Sequence, residues 1–345
     1  MDALKAFQII WFVLWSVLWA VYFMLDGFVL GTGMLHPFLS KNENERQAMI
    51  HIVGPVWNGN EVWLITAGGA TFAAFATTYA LMFSYLYTAL LLLLFSLIIR
   101  GVSLEFRGKV ANAKWQKTWD LGFFLSSFLI ALLLGVAFGN IFKGLPMDDT
   151  GYHGNLLSLL NPYGLVSGIL FVAMFVLHGA LYTAVKTSGD LSGRALTLAG
   201  KIWIALLVVA VAFLAHTAFA TKLYNNYIST PVLFIIPLTA VAALLLIRIF
   251  LARRDSIKAF AASCITILMV SFTGVTGLFP NLIPSTLDPD YSLTIYNSSS
   301  SQLTLTIMTV VALIFVPIVI AYKIWVYRLF RDKIDPEAVP SEKVY

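Results

Sequence analysis

Stretches of about twenty mainly apolar residues alternate with short polar segments from one end of this chain to the other. A bilayer-crossing helix needs about 20 such residues. The pattern predicts nine spans: 7–30, 56–76, 79–99, 119–142, 163–185, 202–220, 232–251, 257–279 and 303–327. The second and third are separated only by Thr77-Thr78, which reads as a tight helical hairpin. The expected fold is all-α: a single transmembrane domain over residues 1–345, with short loops and no soluble domain. The longest outer connections, near Lys143–Pro162 and Pro280–Gln302, are too short for one. Pro237 and Pro317 fall inside spans, where membrane helices tolerate a kink. The run Ser298–Ser301 is placed to cap the last helix.

Composition supports the same class. Hydrophobic residues make up 59% and charged residues 11%, against about 25% charged in soluble domains. The formal charge of +5 is spread between apolar runs and does not form a nucleic-acid-binding patch. Its distribution sets an orientation. With the N-terminus outside, 19 of the 22 basic residues lie on the inner side, Lys343 among them, and only Lys5, Lys143 and Lys222 lie outside. The positive-inside rule therefore predicts an outer N-terminus and a cytoplasmic Tyr345. The first apolar stretch is too long for the core of a signal peptide and lacks a small-residue cleavage site, so it reads as a span. Cys264 is the single cysteine and reads as a small packed hydrophobe.

Charge inside the membrane is costly, so it points to function or to pairing. Asp26 lies near the inner end of the first span and Glu61 a turn or two into the second. Arg100 ends the third, and Asp120 opens the fourth. This topology places all four in one inner layer. For Asp120 and Arg100 the favoured reading is an interfacial charge paired with the other charges or with water. Asp26 and Glu61 could equally carry protons, and Glu61 sits in the unusually polar run Trp57-Asn58-Gly59-Asn60-Glu61. Of the histidines, His178 and His216 fall in spans. Packing or a polar contact explains them better than iron ligation, and no Cys-x-x-Cys-His motif is present. Trp11, Trp15, Trp19 and Tyr22 form a stripe on the first helix that reads as a bulky packing face. Gly27, Gly31 and Gly33, with Gly68 and Gly69, predict close helix approach.

Taken in order, several segments resemble subunit II of the cytochrome bd-type quinol oxidases. They are Asp26-Gly27-Phe28 leading into Gly31-Thr32-Gly33-Met34-Leu35, the run from Trp57 through Glu61 and Trp63 to Ala70, Gly135 through Asn140, Leu160 through Leu165, Phe279-Pro280 with Pro284-Ser285, and Ser300 through Leu305. The resemblance implies a nine-helix subunit in the bacterial cytoplasmic (inner) membrane that pairs with subunit I. Such a complex oxidises quinol, reduces oxygen to water and contributes to the proton motive force. Haem b and haem d would have their ligands on subunit I, leaving no catalytic or metal-binding residue here. A structural quinone, membrane lipid and a small accessory subunit are further partners that the resemblance admits.

The resemblance also suggests roles for residues. Asp26, Asn58 and Glu61 are candidates for a proton route; Trp57, Trp63 and Arg100 are candidates for the subunit interface or a gas route. Two departures bear on the route. Asn58 stands where some members have an acid, and Glu61 stands where relatives can have glutamine, so Glu61 is the expected replacement carboxylate. Val29 likewise stands where relatives can have an acid. A proton-coupled secondary transporter is the alternative function, with Asp26 and Glu61 as the coupling residues. The repeat symmetry and paired broken helices of such transporters are not evident in the sequence.

Overall fold

The computed structural model describes residues 2–337; Lys343 and Tyr345, both expected on the inner side, lie outside the described residues. The chain runs through α1 (Ala3–Leu39), α2 (Glu43–Val53), α3 (Trp57–Ala74), α4 (Ala76–Tyr85), α5 (Tyr87–Phe106) and α6 (Ala113–Lys143). It continues through α7 (Pro162–Lys186), α8 (Gly189–Ala220), α9 (Tyr224–Ser229), α10 (Ile235–Ala252), α11 (Ser256–Leu278) and α12 (Gln302–Leu329). Among the described residues eight of these helices are long and apolar enough to cross a membrane, and α3 with α4, bent by 119°, makes a ninth candidate. The polar residues just before the helices start many of them. Asn42, Asn112, Asp255 and Ser301 each accept a backbone N–H of the following first turn, as N-caps do. Asn161 does the same for α7, with Pro162 at the first helical position, where its missing N–H costs nothing.

The main core joins α1, α6, α7, α8, α10 and α11 around Phe23, Phe138, Phe171 and Phe175. Glycine sets how closely the central helices approach. A Cβ on Gly31 would sit 1.8 Å from the Phe175 carbonyl oxygen, and one on Gly179 would sit 2.3 Å from the Gly31 carbonyl carbon. Backbone therefore touches backbone where α1 crosses α7. Gly135 and Gly139 of α6 meet Ser167 and Gly168 of α7 in the same way. The conspicuous Gly-Val-Ala-Phe-Gly-Asn run is thus a packing seam. Its Asn140 completes the seam by donating to the Leu159 carbonyl and accepting from Asn161, both at 2.8 Å. The expectation for Gly68 and Gly69 is corrected: nothing lies within 4 Å of a Cβ at either.

Other expectations also change. Thr77-Thr78 is not a turn; both residues lie in α4, and the chain breaks at Phe75 and Leu86 instead. The break at Phe75 follows from burial. Its ring is sequestered with Trp11, Trp15, Leu282, Ile295 and Leu305, and its backbone leaves helical geometry (φ −132°, ψ 60°) to get there. The carbonyls freed at the end of α3 are satisfied by Ser300, whose hydroxyl donates to Ala73 and whose N–H donates to Ala74.

Three helix ends also move. Arg100 does not end its helix, because α5 continues to Phe106. Asp120 does not open the next, because α6 begins at Ala113. The first helix runs past Leu30 to Leu39, carrying His36 within it. In all three places a charged or glycine-rich stretch resembled a boundary, but side-chain pairing or close packing lets the helix continue.

The two long loops form one cap. Met147–Asp148 pairs with Gly151–Tyr152, and Asn281–Ile283 pairs with Leu293–Thr294. The hairpins are tied together where the Leu145 N–H donates to Pro284 O and the Thr286 N–H donates to Leu145 O. At the opposite end, the Lys186 ammonium donates to the carbonyls of Phe330 and Asp332 and straps the segment after α12 beneath the α7–α8 turn.

Candidate functional site

The buried charges gather at the end of the bundle marked by Leu39 and Arg107. α1 contributes Asp26, α3 contributes Glu61 and α5 contributes Arg100. Arg100 Nη1 donates to Asp26 Oδ2 at 2.7 Å, and Nη2 donates to Glu61 Oε2 at 2.8 Å. The Asp26 and Arg100 side chains are wholly buried, and Glu61 keeps about a fifth of its side-chain surface. Of the two partners the sequence allows Arg100, the structure shows the acids and not water: Arg100 pairs with both and is wholly buried. A guanidinium has donors enough for two carboxylates at once, and that pairing allows three ionic groups to be buried together.

Asn60, which the motif reading passed over, supports this cluster. Its amide donates to Leu25 O at 2.7 Å, one residue before Asp26, and it accepts from the Tyr327 hydroxyl at 2.9 Å. Lys323 of α12 lies over α3, its ammonium 2.3 Å from where a Cβ on Gly59 would stand. The signal for Lys323 in the sequence was a lysine within an apolar helix, which had been counted only as a topology marker. Asn58, one turn before Glu61, is exposed and makes no hydrogen bond of the cluster. Trp57 lies against Gly101, and Trp63 is buried in the central core.

A second network sits nearer the same end. Arg107 Nε and Nη2 donate to Asp120, and Nη2 also donates to Glu43 at 2.8 Å. His36 Nδ1 lies 3.6 Å from Asp120. Arg107 and Glu43 were not singled out from the sequence. The signal available was that Arg107 follows Arg100 by seven residues, which is two turns on one helix face. Nearby, Glu45 binds Arg194 at 2.6 Å and the Lys41 N–H at 2.6 Å. Burial works to raise the Glu45 carboxyl, but these partners overrule it and hold it below the usual range. On the opposite cap, hydrogen bonds from Thr150 and His153 hold Asp148 down to about 2.

The two histidines of the predicted spans, His178 and His216, both make contacts within the bundle. His178 Nε2 lies 3.0 Å from Met24 O, and Nδ1 lies 2.7 Å from the Ser263 hydroxyl. A carbonyl only accepts, so Nε2 carries a proton toward Met24, while Nδ1 lies against the Ser263 hydroxyl, which also reaches Phe260 O at 2.7 Å. His216 lies edge-on to Tyr163. Among the described residues no group of three or more His, Cys, Asp or Glu side chains could hold a metal ion. The stripe of Trp11, Trp15 and Tyr22 is buried and serves dense packing.

A bundle of apolar helices with an arginine clamped between two carboxylates defines an integral membrane protein with a built ionic site. The model of the family described as "Cytochrome bd terminal oxidase subunit II" matches residues 7–330, and the chain belongs to that family. It is 37% identical to "Cytochrome bd-I ubiquinol oxidase subunit 2" of Escherichia coli (strain K12), over 97% of each chain. It is 36% identical to "Cytochrome bd ubiquinol oxidase subunit 2" of Bacillus subtilis (strain 168), over 94% of this chain and 96% of that one. Its fold matches a chain of the bd oxidase from Geobacillus thermodenitrificans with a TM-score of 0.78 and 16% identity, covering 94% and 98% of the two chains.

Proposed function

We propose that this chain is the second subunit of a quinol:oxygen oxidoreductase in the bacterial cytoplasmic membrane, with its N-terminus outside, paired with a subunit I that carries the haem ligands. The haems on the partner would supply electron transfer from quinol to oxygen. This chain would supply the interface and a proton path from the cytoplasmic side. The observation that carries the reading is the Asp26–Arg100–Glu61 cluster in a chain of this family. Glu61 is the cluster's one partly exposed member and in this reading is where water would enter. A carboxylate held by arginine on one oxygen can still exchange a proton at the other. Asn58, exposed one turn away, would hold water at the mouth of the path.

The relay reading of Glu61 is tested in the purified two-subunit complex. Glu61→Gln keeps the shape and an acceptor for Arg100 but cannot titrate. Slower quinol oxidation with unchanged haem content and assembly is the expected result. Unchanged turnover would end the relay role, and loss of the partner subunit would reassign Glu61 to assembly. A transporter is not favoured, since the family match covers nearly the whole chain.

A further inference from the structure

On α1 three buried polar atoms lie in line: Trp19 Nε1, the Tyr22 hydroxyl and Asp26 Oδ1. None completes a hydrogen bond to another described residue, and neither does Arg100 Nε beside them. The spacing, three residues and then four, puts all three side chains on one helix face. The Trp19 and Tyr22 rings meet edge-on with centroids 6.3 Å apart, and Tyr22 stands one turn before Asp26 on that face. Tyr22 and Asp26 are wholly buried. Trp19 also lines an apolar cavity of about 120 Å³ with Phe23, Phe138 and Phe171.

A buried polar atom without a partner is costly, and water is the usual remedy where several such atoms converge. The groups here are complementary. Trp19 Nε1 and Arg100 Nε only donate, Asp26 Oδ1 accepts when ionised, and a tyrosine hydroxyl does both. We propose that this face of α1 holds an internal file of water between Asp26 and Trp19, with the Tyr22 hydroxyl as its proton-exchanging member. The file continues the path from the ionic cluster about 10 Å further along the helix, at 1.5 Å per residue. A proton on Asp26 Oδ1 passes to the Tyr22 oxygen as the Tyr22 proton leaves for the water held by Trp19. One proton moves, tyrosine is regenerated, and Asp26 is reprotonated from the Glu61 side. The charged and titratable groups around this face are Asp26 on α1, Glu61 on α3, Arg100 on α5, and Lys323 and Tyr327 on α12.

The inference rests on the oxidase reading, and Tyr22→Phe in the two-subunit complex tests it, because the ring packing stays and only the hydroxyl goes. Removing a positioned proton-transfer group usually costs about 100-fold or more; parallel water paths would soften this, so a loss of roughly tenfold in quinol oxidation is expected. The solvent deuterium isotope effect and the pH profile should change with it, while the haem spectrum stays intact. Trp19→Phe, which removes the donor at the far end, should shift the isotope effect in the same direction. Wild-type turnover, isotope effect and pH profile in an assembled Tyr22→Phe complex would overturn the proposal. So would failure of that variant to assemble together with a wild-type isotope effect in Trp19→Phe. A wild-type complex that does not oxidise quinol would instead overturn the oxidase reading, and with it the proton path that the file extends.

Discussion

Arg100 Nη1 donates to Asp26 Oδ2 at 2.7 Å with no solvent at either side chain. Removing one member of such a pair leaves a buried charge uncompensated, at a cost of about 3–5 kcal/mol. Arg100→Met should be the most damaging single change at the site, because it strands Asp26 and Glu61 together. Combining it with Asp26→Asn should recover part of the loss. Thermal midpoints of the purified complex, compared for the single and double variants, check this; no recovery in the double variant would mean that the charges are not the source of the cost.

The α1–α7 crossing permits a sharper comparison. A Cβ on Gly31 would overlap the Phe175 carbonyl oxygen, and both partners are helix backbone that cannot swing aside. Overpacking in a dense core costs about 1–3 kcal/mol, occasionally more, and Gly31→Ala should fall at the upper end. Gly68→Ala meets nothing within 4 Å and should be silent in this chain. Yield and thermal stability of the two variants, side by side, decide the point.

The basic residues make a topological prediction. Reporter fusions after Lys114 and Lys258 should read as cytoplasmic, and one at Asp290 should read as external. An internal signal at Asp290 would contradict the nine-span path through α3 and α4.

Acid should loosen α2. Glu45 titrates below its ordinary value of 4.5 because Arg194 and the Lys41 N–H hold the carboxylate. Burial lowers His51 from its ordinary value of 6.5. Both groups take up protons more readily when α2 is undocked. The docked form therefore weakens as pH falls below about 6.5, through His51, and again below about 4.5, through Glu45. Backbone protection factors over 43–53, with the intrinsic exchange rate at each pH divided out, should be lower at pH 5 than at pH 7, and Glu45→Gln should remove only the lower-pH step. Equal protection factors at the two pH values would rule out the His51 contribution.

Much of the site was visible in the order of residues, but its wiring was not. Asp26, Glu61 and Arg100 each stood out as a charge in an apolar stretch, since the cost of charge in lipid makes such residues conspicuous. Their shared partner did not, because helices far apart in the sequence meet at angles that no local pattern encodes. Arg100 looked like the end of a helix until Asp26 and Glu61 supplied its counter-charges. Asn60 was read as a neighbour of Glu61, yet it is the residue that ties α3 to α1 and α12.

Hydropathy alone established an all-helical membrane protein, because the bilayer demands about twenty apolar residues per crossing whatever the packing. The serine run ending at Ser301 likewise announced where α12 begins, because a cap acts on its own first turn. Only the assembled bundle decided that the helix bends at Phe75, that Gly31 and not Gly68 carries a close crossing, and that Arg100 joins Asp26 to Glu61. Those outcomes depend on which surfaces meet, and burial among distant residues can override a local preference for turn, boundary or exposure.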